Sequence, residues 1–352
     1  MTAQLVAARE SGGLDKRRGD THFGDTSGMS TVTANTTLEL RVRSVTYETD
    51  DILSFELVDP QGRELPGFDA GAHVDVHVAR GLVRQYSLAG DPAERRRYRI
   101  AVLNEPMGRG GSKAMHETVR AGRMVTVSAP RNHFPLARAA KRHLLLAGGI
   151  GVTPMMAMVA TLAAEDAEWQ MHYCTRSPEK TAFRERLEPF VGAGRVVYHH
   201  DGGDPRNGLD IPAVLRSVEP GTHLYYCGPP GFMSAAAAGA RHWPENTVHF
   251  EFFSAPADKP RDARENRPFQ VRLKSTGDVL HVPADKSIVE VLRENGHYVD
   301  TSCEDGFCGT CLTPYVEGEP EHRDTVLDED DRRKYVLICC ARAKSPVLVL
   351  DI

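Results

Sequence analysis

The chain is predicted to be multidomain: an antiparallel β-barrel first, a parallel α/β sheet second, and a small α+β segment last. Three observations predict this. Short apolar alternations punctuated by Gly and Pro run from Leu38 to about Pro135, the pattern of antiparallel barrel strands. From His143 the strands become continuously apolar and alternate with helical segments, as in a parallel sheet buried on both faces. Five of the seven cysteines crowd the last 50 residues, so something local is bound there.

Size and composition agree. At roughly 100 to 200 residues per domain, 352 residues allow two or three domains. A hydrophobic content of 41% and a charged content of 26% permit ordinary cores. The net charge of −5 argues against a general nucleic-acid binder or a polybasic membrane protein. No run approaches the roughly 20 apolar residues of a membrane span, and the N-terminus lacks the pattern of a secretion signal. The expected address is the cytoplasm, with no nucleic-acid or membrane partner. Seven cysteines in a chain of this size do not make a disulfide scaffold.

Taken in order, residues 1–36 are rich in Ser, Thr, Gly and Asp without periodicity and read as a disordered tail. Residues 37–138 hold the barrel alternations Leu38 to Val45, Ile52 to Val58, His73 to Val78, Leu82 to Leu88, Tyr98 to Leu103 and Met124 to Val127. Residues 139–253 hold Leu144-Leu145-Leu146 running into Ala147-Gly148-Gly149-Ile150-Gly151, then strands at Met171 to Cys174, Val196 to His199 and Leu224 to Cys227, and a closing aromatic strand from Phe250 to Phe253. Residues 254–267 have two prolines, abundant charge and no large apolar side chain, and read as a linker. Residues 268–352 show strands Phe269 to Leu273 and Val279 to Val282, a helix Ser287 to Asn295, the cysteine loop, and strands near Tyr335 and Val347. This last segment carries 10 basic and 16 acidic residues, a balance of −6. The excess acidity of the chain sits there, which suits a carrier that docks by charge.

The cysteine loop is the strongest motif. Cys303, Cys308 and Cys311 stand as C-x4-C-x2-C, and Cys339 follows after 27 intervening residues, the plant-type ligand spacing of a 2Fe-2S cluster. Small neighbours (Ser302, Gly306, Gly309, Thr310) let backbone N–H groups approach the sulfurs. Zinc also accepts four thiolates but favours paired C-x2-C knuckles, and one such pair exists here. Cys339 and Cys340 compete for the fourth position, because adjacent strand residues face opposite ways. Cys174 reads as a core thiol. Cys227 ends a strand just before Gly228-Pro229-Pro230-Gly231, where a parallel sheet presents its ligand-binding edge.

Weaker motifs precede it. In Arg84-Gln85-Tyr86-Ser87 a guanidinium can pair with phosphate, a Tyr ring can stack on a planar cofactor, and a Ser hydroxyl can bond its polar edge. Alone, the motif is equally an ordinary strand end. Gly110, Gly111 and Ser112 precede a predicted helix, Ser112 to Val119, whose bare amides and dipole can hold a phosphate, with Arg109 either adding charge or solvated. Gly148, Gly149 and Gly151 sit where strand turns to helix, as a pyrophosphate-binding turn or simply a tight one.

These motifs, in this order and together with Ala147 to Pro154, Tyr226-Cys227-Gly228-Pro229 and His249-Phe250-Glu251-Phe252-Phe253, resemble the phthalate dioxygenase reductase family, which includes vanillate demethylase reductases. The likeness runs from about Leu38 to Ile352. It implies a flavin-binding barrel, an NADH-binding α/β domain and a β-grasp plant-type ferredoxin domain, with FMN, NADH and a 2Fe-2S cluster as cofactors. By resemblance, Arg84, Tyr86, Ser87, Gly110, Gly111 and Ser112 hold FMN; Gly148, Gly149, Gly151, Thr153, Arg176, Cys227 and Gly228 serve the nucleotide; Phe252 or Phe253 covers the flavin. Read without the resemblance, Arg176 touches a ribose or 2′-phosphate or is simply solvated, and Phe252 and Phe253 are equally a core aromatic pair. Ser87, Thr153 and Cys227 are candidates beside the reacting atoms, and Cys339 is favoured over Cys340 as the fourth ligand. NADH yields a hydride and the cluster takes one electron, so a flavin must convert between them. The implied activity is electron delivery to the Rieske centre of a terminal oxygenase or O-demethylase acting on aromatic compounds. Two rivals are a reductase for a haem-thiolate monooxygenase and a redox-sensing cluster protein without turnover.

Overall fold

The alternations of the first segment fold as expected into strands. The computed structural model describes residues 37–79, 82–108, 110–253, 266–301, 303–306, 309–324 and 327–352. The expected tail 1–36, most of the expected linker, Arg109, Ser302 and Cys308 lie outside the described residues. Strands β1 (Thr37–Thr49), β2 (Ile52–Val58), β3 (Ala72–Ala79), β4 (Leu82–Ser87) and β5 (Tyr98–Leu103) come first, then helix α1 (Gly111–Thr118), β6 (Met124–Ser128) and the short β7 (Arg131–Asn132). They pair antiparallel in the order β4-β3-β6-β1-β2-β5, with β7 on β3. Val42, Phe55, Val74, Ile100 and Val127 point into one core, the period of two expected of a half-buried strand. The expected barrel is not a closed one. Among the described residues no ladder joins β4 to β5, because β4 leaves its partner after Leu88 and turns at Asp91-Pro92. One backbone bond, from the Ala89 N–H to the Arg99 carbonyl at 2.8 Å, bridges the two ends.

The second region is a parallel sheet of β8 (Arg142–Gly148), β9 (Glu168–Thr175), β10 (Val196–His200), β11 (Thr222–Cys227) and β12 (Val248–Glu251). Its order is β10-β9-β8-β11-β12, so the direction of winding reverses at β8. Helices α2 (Val152–Ala164) and α3 (Arg184–Gly192) cover one face, with Met155, Met158 and Leu187 packed on Leu145 and Ala147. Helices α4 (Ile211–Leu215) and α5 (Pro230–Gly239) cover the other, with Met233 and Ala236 on Leu144 and Leu146. Burial on both faces is why these strands read as unbroken apolar runs. The aromatic strand expected at Phe250 to Phe253 lies two residues earlier: β12 pairs with β11 only as far as Cys227, which stands opposite Glu251.

The third region mixes strand directions. β13 (Phe269–Leu273), β14 (Val279–Val282), β15 (Leu312–Glu317), the short β16 (Pro320–Glu321), β17 (Tyr335–Leu337), the short β18 (Arg342–Ala343) and β19 (Val347–Leu350) appear in chain order. The main sheet runs β14-β13-β19-β15-β17, with β13 parallel to β19. Helix α6 (Ile288–Glu294) begins with a capping box, in which the Glu290 N–H donates to Ser287 Oγ while the Glu290 carboxylate accepts from the Ser287 N–H. It buries Ile288, Val289, Val291 and Leu292 in the sheet core. A short acidic helix, α7 (Glu329–Arg332), precedes β17. Among the described residues no helix is long and apolar enough to cross a membrane.

The ends of β8 and β11 approach so closely that glycine is required on both sides. A Cβ on Gly151 would stand 2.2 Å from the Cys227 carbonyl oxygen, and one on Gly148 2.9 Å from the Pro229 ring. Gly149 has open space around it but a φ of +52°. Gly151→Ala should therefore destabilise the protein by ~3 kcal/mol, since backbone must move, and Gly149→Ala by about 1 kcal/mol, the cost of a left-handed Ala. Denaturant unfolding of the two variants checks the order; equal losses would contradict it.

Candidate cofactor and electron-transfer site

Strand β4 carries Arg84, Tyr86 and Ser87 to the edge of a cavity of about 550 Å³, well inside the ~300–1,000 Å³ of ligand sites. Gly111 and Ser112 of α1, Ile150 and Thr153 at the start of α2, Phe252 and Phe253 after β12, and Cys303 and Cys339 of the third region share its wall. Five motifs spread along the chain thus meet in one space.

At one end Arg84 lies across the start of α1. A Cβ on Gly111 would stand 2.4 Å from the Arg84 side chain, so only glycine admits the guanidinium there. Gly110 caps the helix with a φ of +81°, which leaves the first amides open. Ser112 Oγ accepts the Glu105 N–H at 3.1 Å. Tyr86 is half-buried, and its hydroxyl has no hydrogen-bond partner among the described residues. Burial pushes that phenol well above its ordinary pKa. An orphaned hydroxyl, a cradle that a Cβ would fill and a cationic helix start fit a flavin bearing a phosphate.

In the middle, the Ser87 hydroxyl donates to Glu251 Oε2 at 3.3 Å, and His73 Nδ1 stands 4.0 Å from Glu251 Oε1. His73 is paired with Ser87 across β3 and β4 and is 1% exposed, with neither ring nitrogen bonded among the described residues. Burial pushes the Glu251 carboxyl up to about 8, against the lowering effect of the Ser87 bond, and keeps His73 well below its usual value. Burial thus favours the neutral form of both groups. Cys227 is fully buried opposite Glu251, and burial raises its thiol far above the ordinary range. Glu251, like His73, escaped the sequence reading, although a lone carboxylate inside Phe250-Glu251-Phe252 was a usable signal.

Of the expected nucleotide residues, Thr153 lines this cavity, and Gly148, Gly149, Gly151, Arg176, Cys227 and Gly228 do not. Gly151 packs on the backbone of Cys227 and Gly228, Gly148 on the Pro229 and Phe232 side chains, and Gly228 on Phe232 and Gly148, and the role the structure displays for them is that close approach. The Thr153 hydroxyl donates to the Ile150 carbonyl at 2.9 Å, holding its own turn. Arg176 is exposed beyond β9, on the same edge of the sheet; its carbonyl accepts the Gly202 N–H.

At the other end, Cys303, Cys311 and Cys339 are 6%, 5% and 5% exposed and form no disulfide. The Asp305 N–H donates to Cys303 Sγ at 3.4 Å. Among the described residues no three His, Cys, Asp or Glu side chains surround a single ion. A two-iron cluster asks for pairs instead, two thiolates to each iron, and Cys303 and Cys339 present such donors to one cavity. The expectation that the competing cysteines lie in a strand is corrected: both fall in a turn after β17, with the Cys340 N–H and the Ala341 N–H on the Leu337 carbonyl. Cys339 faces the cavity. Cys340 directs its thiol to the Leu337 carbonyl at 3.6 Å, against Gly306, where a Cβ would meet its sulfur at 2.5 Å.

Comparison with known proteins gives the family. Residues 145–238 match the oxidoreductase NAD-binding domain and residues 271–344 the 2Fe-2S iron-sulfur cluster binding domain. The chain is 50% identical, over 90% of its length and 96% of the relative's, to a tert-butanol monooxygenase / tert-amyl alcohol desaturase reductase subunit of Aquincola tertiaricarbonis. It is 44% identical to a vanillate O-demethylase oxidoreductase of a Pseudomonas species, over 90% of this chain and all of that one. The solved structure of phthalate dioxygenase reductase matches with a TM-score of 0.69 and 45% identity, covering 90% of this chain and 98% of that one. The chain belongs to the phthalate dioxygenase reductase family. It is an NADH-dependent electron-transfer oxidoreductase with FMN and a 2Fe-2S cluster as cofactors, the reductase component of an oxygenase system.

One prediction follows from the neutral carboxyl. The folded protein keeps the Glu251 proton up to about 8, while a carboxyl of ordinary value releases it near 4.5. Climbing through that window weakens the folded state, by at most ~1.4 kcal/mol for each pH unit. Glu251→Gln removes the penalty, so its Tm should exceed the parent's at pH 8 and match it most closely near pH 4. Parallel Tm profiles across that range would show that the parent's carboxyl is already ionised.

Proposed function

We propose that this reductase carries electrons from NADH to the Rieske centre of a terminal oxygenase or O-demethylase in the cytoplasm, without touching the oxygenase's organic substrate. The carrying observation is the single cavity walled at once by Arg84, Tyr86 and Ser87, by the turn at Thr153, and by Cys303 and Cys339. Flavin supplies the conversion that neither neighbour can make, taking electrons as a pair and releasing them one at a time.

The chain's own residues divide the work. Arg84, the Gly110 and Gly111 amides and the Ser112 hydroxyl hold the phosphate at the cationic start of α1. Tyr86 would pack its ring on the flavin within an antiparallel β domain spanning about 37–138, and Phe252 or Phe253 would shield the flavin from water. Ser87 bonds the polar edge of the flavin, oriented by Glu251. Gly148, Gly149, Gly151, Thr153, Cys227 and Gly228 form the floor for NADH in a domain spanning about 139–253, where the sheet reverses its winding, and Arg176 meets the adenosine end. Cys303, Cys308, Cys311 and Cys339 hold the cluster in a β-grasp domain spanning about 268–352, after a linker at 254–267.

Relatives named for an alkyl alcohol oxygenase and for an aromatic O-demethylase are similar to this chain at 50% and 44% identity. A reductase that never meets the substrate is free to serve either, and aromatic catabolism is the setting we favour from the vanillate and phthalate relatives. Cys308→Ser should abolish NADH-dependent reduction of a one-electron protein acceptor while NADH oxidation by ferricyanide stays largely intact. Equal loss of both activities, or a purified protein lacking flavin and iron–sulfur absorbance after growth with ample iron and riboflavin, would defeat this reading.

A further inference from the structure

Beside Cys303 the backbone adopts a conformation that its residue does not favour. Glu304 has a φ of +56°, the left-handed region that L side chains other than Asn and Asp enter at a cost. Something outside the loop must hold it. Two side chains close a ring with the Glu304 carboxylate: Arg293 Nη1 stands 2.8 Å from Glu304 Oε1, the Thr301 hydroxyl donates to the same oxygen at 2.8 Å, and Arg293 Nη2 donates to Thr301 Oγ1. Thr301 is 2% exposed, so one corner of the ring is shielded from water.

The ring has a rigid foundation. Arg293 belongs to the last turn of α6, whose start is locked by the Ser287 and Glu290 capping box and whose inner face is buried in the sheet core. Its planar, forked guanidinium can bond two oxygens at once, which an ammonium group does less well. The next residue after Glu304 delivers the consequence. With Glu304 turned left-handed, the Asp305 N–H reaches Cys303 Sγ at 3.4 Å. A donor on a ligating sulfur favours the extra negative charge of the reduced cluster and raises its potential.

We infer that Arg293 is a positioning residue for the iron–sulfur centre: through Thr301 and Glu304 it fixes the loop so that the Asp305 amide bonds Cys303, and by this it sets the cluster's reduction potential. The inference rests on the proposed reading of Cys303 as a ligand. It deepens that reading by assigning work to three side chains that bind no iron.

The test separates positioning from simple charge. Arg293→Met, Glu304→Gln and Thr301→Val are purified with cluster, their iron and sulfide measured, and the midpoint potential of each titrated with the reduced-cluster EPR signal as readout. If the ring acts by holding the amide, all three shift to lower potential than the parent, and Thr301→Ser, which keeps the hydroxyl, returns to the parent value. If charge alone acts, Arg293→Met falls, Glu304→Gln rises and Thr301→Val stays, and the inference is overturned. Unchanged potentials in all of them overturn it too. Should Arg293→Met fail to hold its cluster, the opposed directions expected of Glu304→Gln still decide between the two accounts. A parent protein without iron and sulfide would overturn the ligand reading itself, a result distinct from a loaded parent whose variants move in opposite directions.

Discussion

The seating of the cysteine loop against strand β3 is the contact on which the rest of the arrangement depends. Thr310 of that loop donates to Asp75 Oδ1 at 3.4 Å, and Asp75, 4% exposed, is held from behind by Arg131 Nη2 at 2.6 Å. The Asp75 N–H is spent on Ser128 Oγ at 2.9 Å. A single neutral-to-charged hydrogen bond of that length is weak, yet a carboxylate buried and paired on its other oxygen cannot turn to follow solvent. The loop therefore finds a fixed acceptor. Electron tunnelling falls steeply with distance, so a fixed seat between two redox groups matters more than a strong one.

The same logic explains where glycine stands. Gly151 is small because the end of β11 arrives against it, Gly148 because the Pro229 and Phe232 side chains do, and Gly111 because the Arg84 guanidinium does. Chain closeness and ligand closeness thus ask for the same residue. From the sequence the turn before α1 read as a phosphate loop, and the turn after β8 as either a pyrophosphate loop or simply a tight turn. The structure separates them: at α1 the neighbour is a side chain that lines the cavity, whereas after β8 the neighbours are the end of β11 for Gly151 and the Pro229 and Phe232 side chains for Gly148. For the latter the contact that the structure displays is with protein.

How far the chain could be read without coordinates follows from how local each signal is. The run Leu144-Leu145-Leu146 declares a strand buried on both sides because its evidence lies within three residues, and the structure buries them against helices on opposite faces. Cysteine spacing is equally local. Glu251 was not legible in this way: its role arises from Ser87, 164 residues distant, and from His73 on the neighbouring strand. The triad of Arg293, Thr301 and Glu304 failed for another reason. Charged residues on a helix end and a loop normally read as solvated, and only the left-handed φ of Glu304 shows that the loop is held. The incomplete closure of the first sheet was hidden too, since alternation specifies which face of a strand is buried but not which strands meet at the seam.

The cavity is polarised along its length, and this orders the chemistry. Arg84 and the start of α1 make one end cationic, suited to a phosphate. The middle is walled by Glu251, with His73 packed 4.0 Å from its carboxyl, and burial favours the neutral form of both. At the far end Glu290, Glu304 and Asp305 line the wall beside Cys303. An ionised Glu251 in the middle would repel the electron-rich form of any group it faced and would raise the cost of loading it. Burying that carboxyl in protonated form removes the repulsion, and the Ser87 hydroxyl keeps the side chain in place.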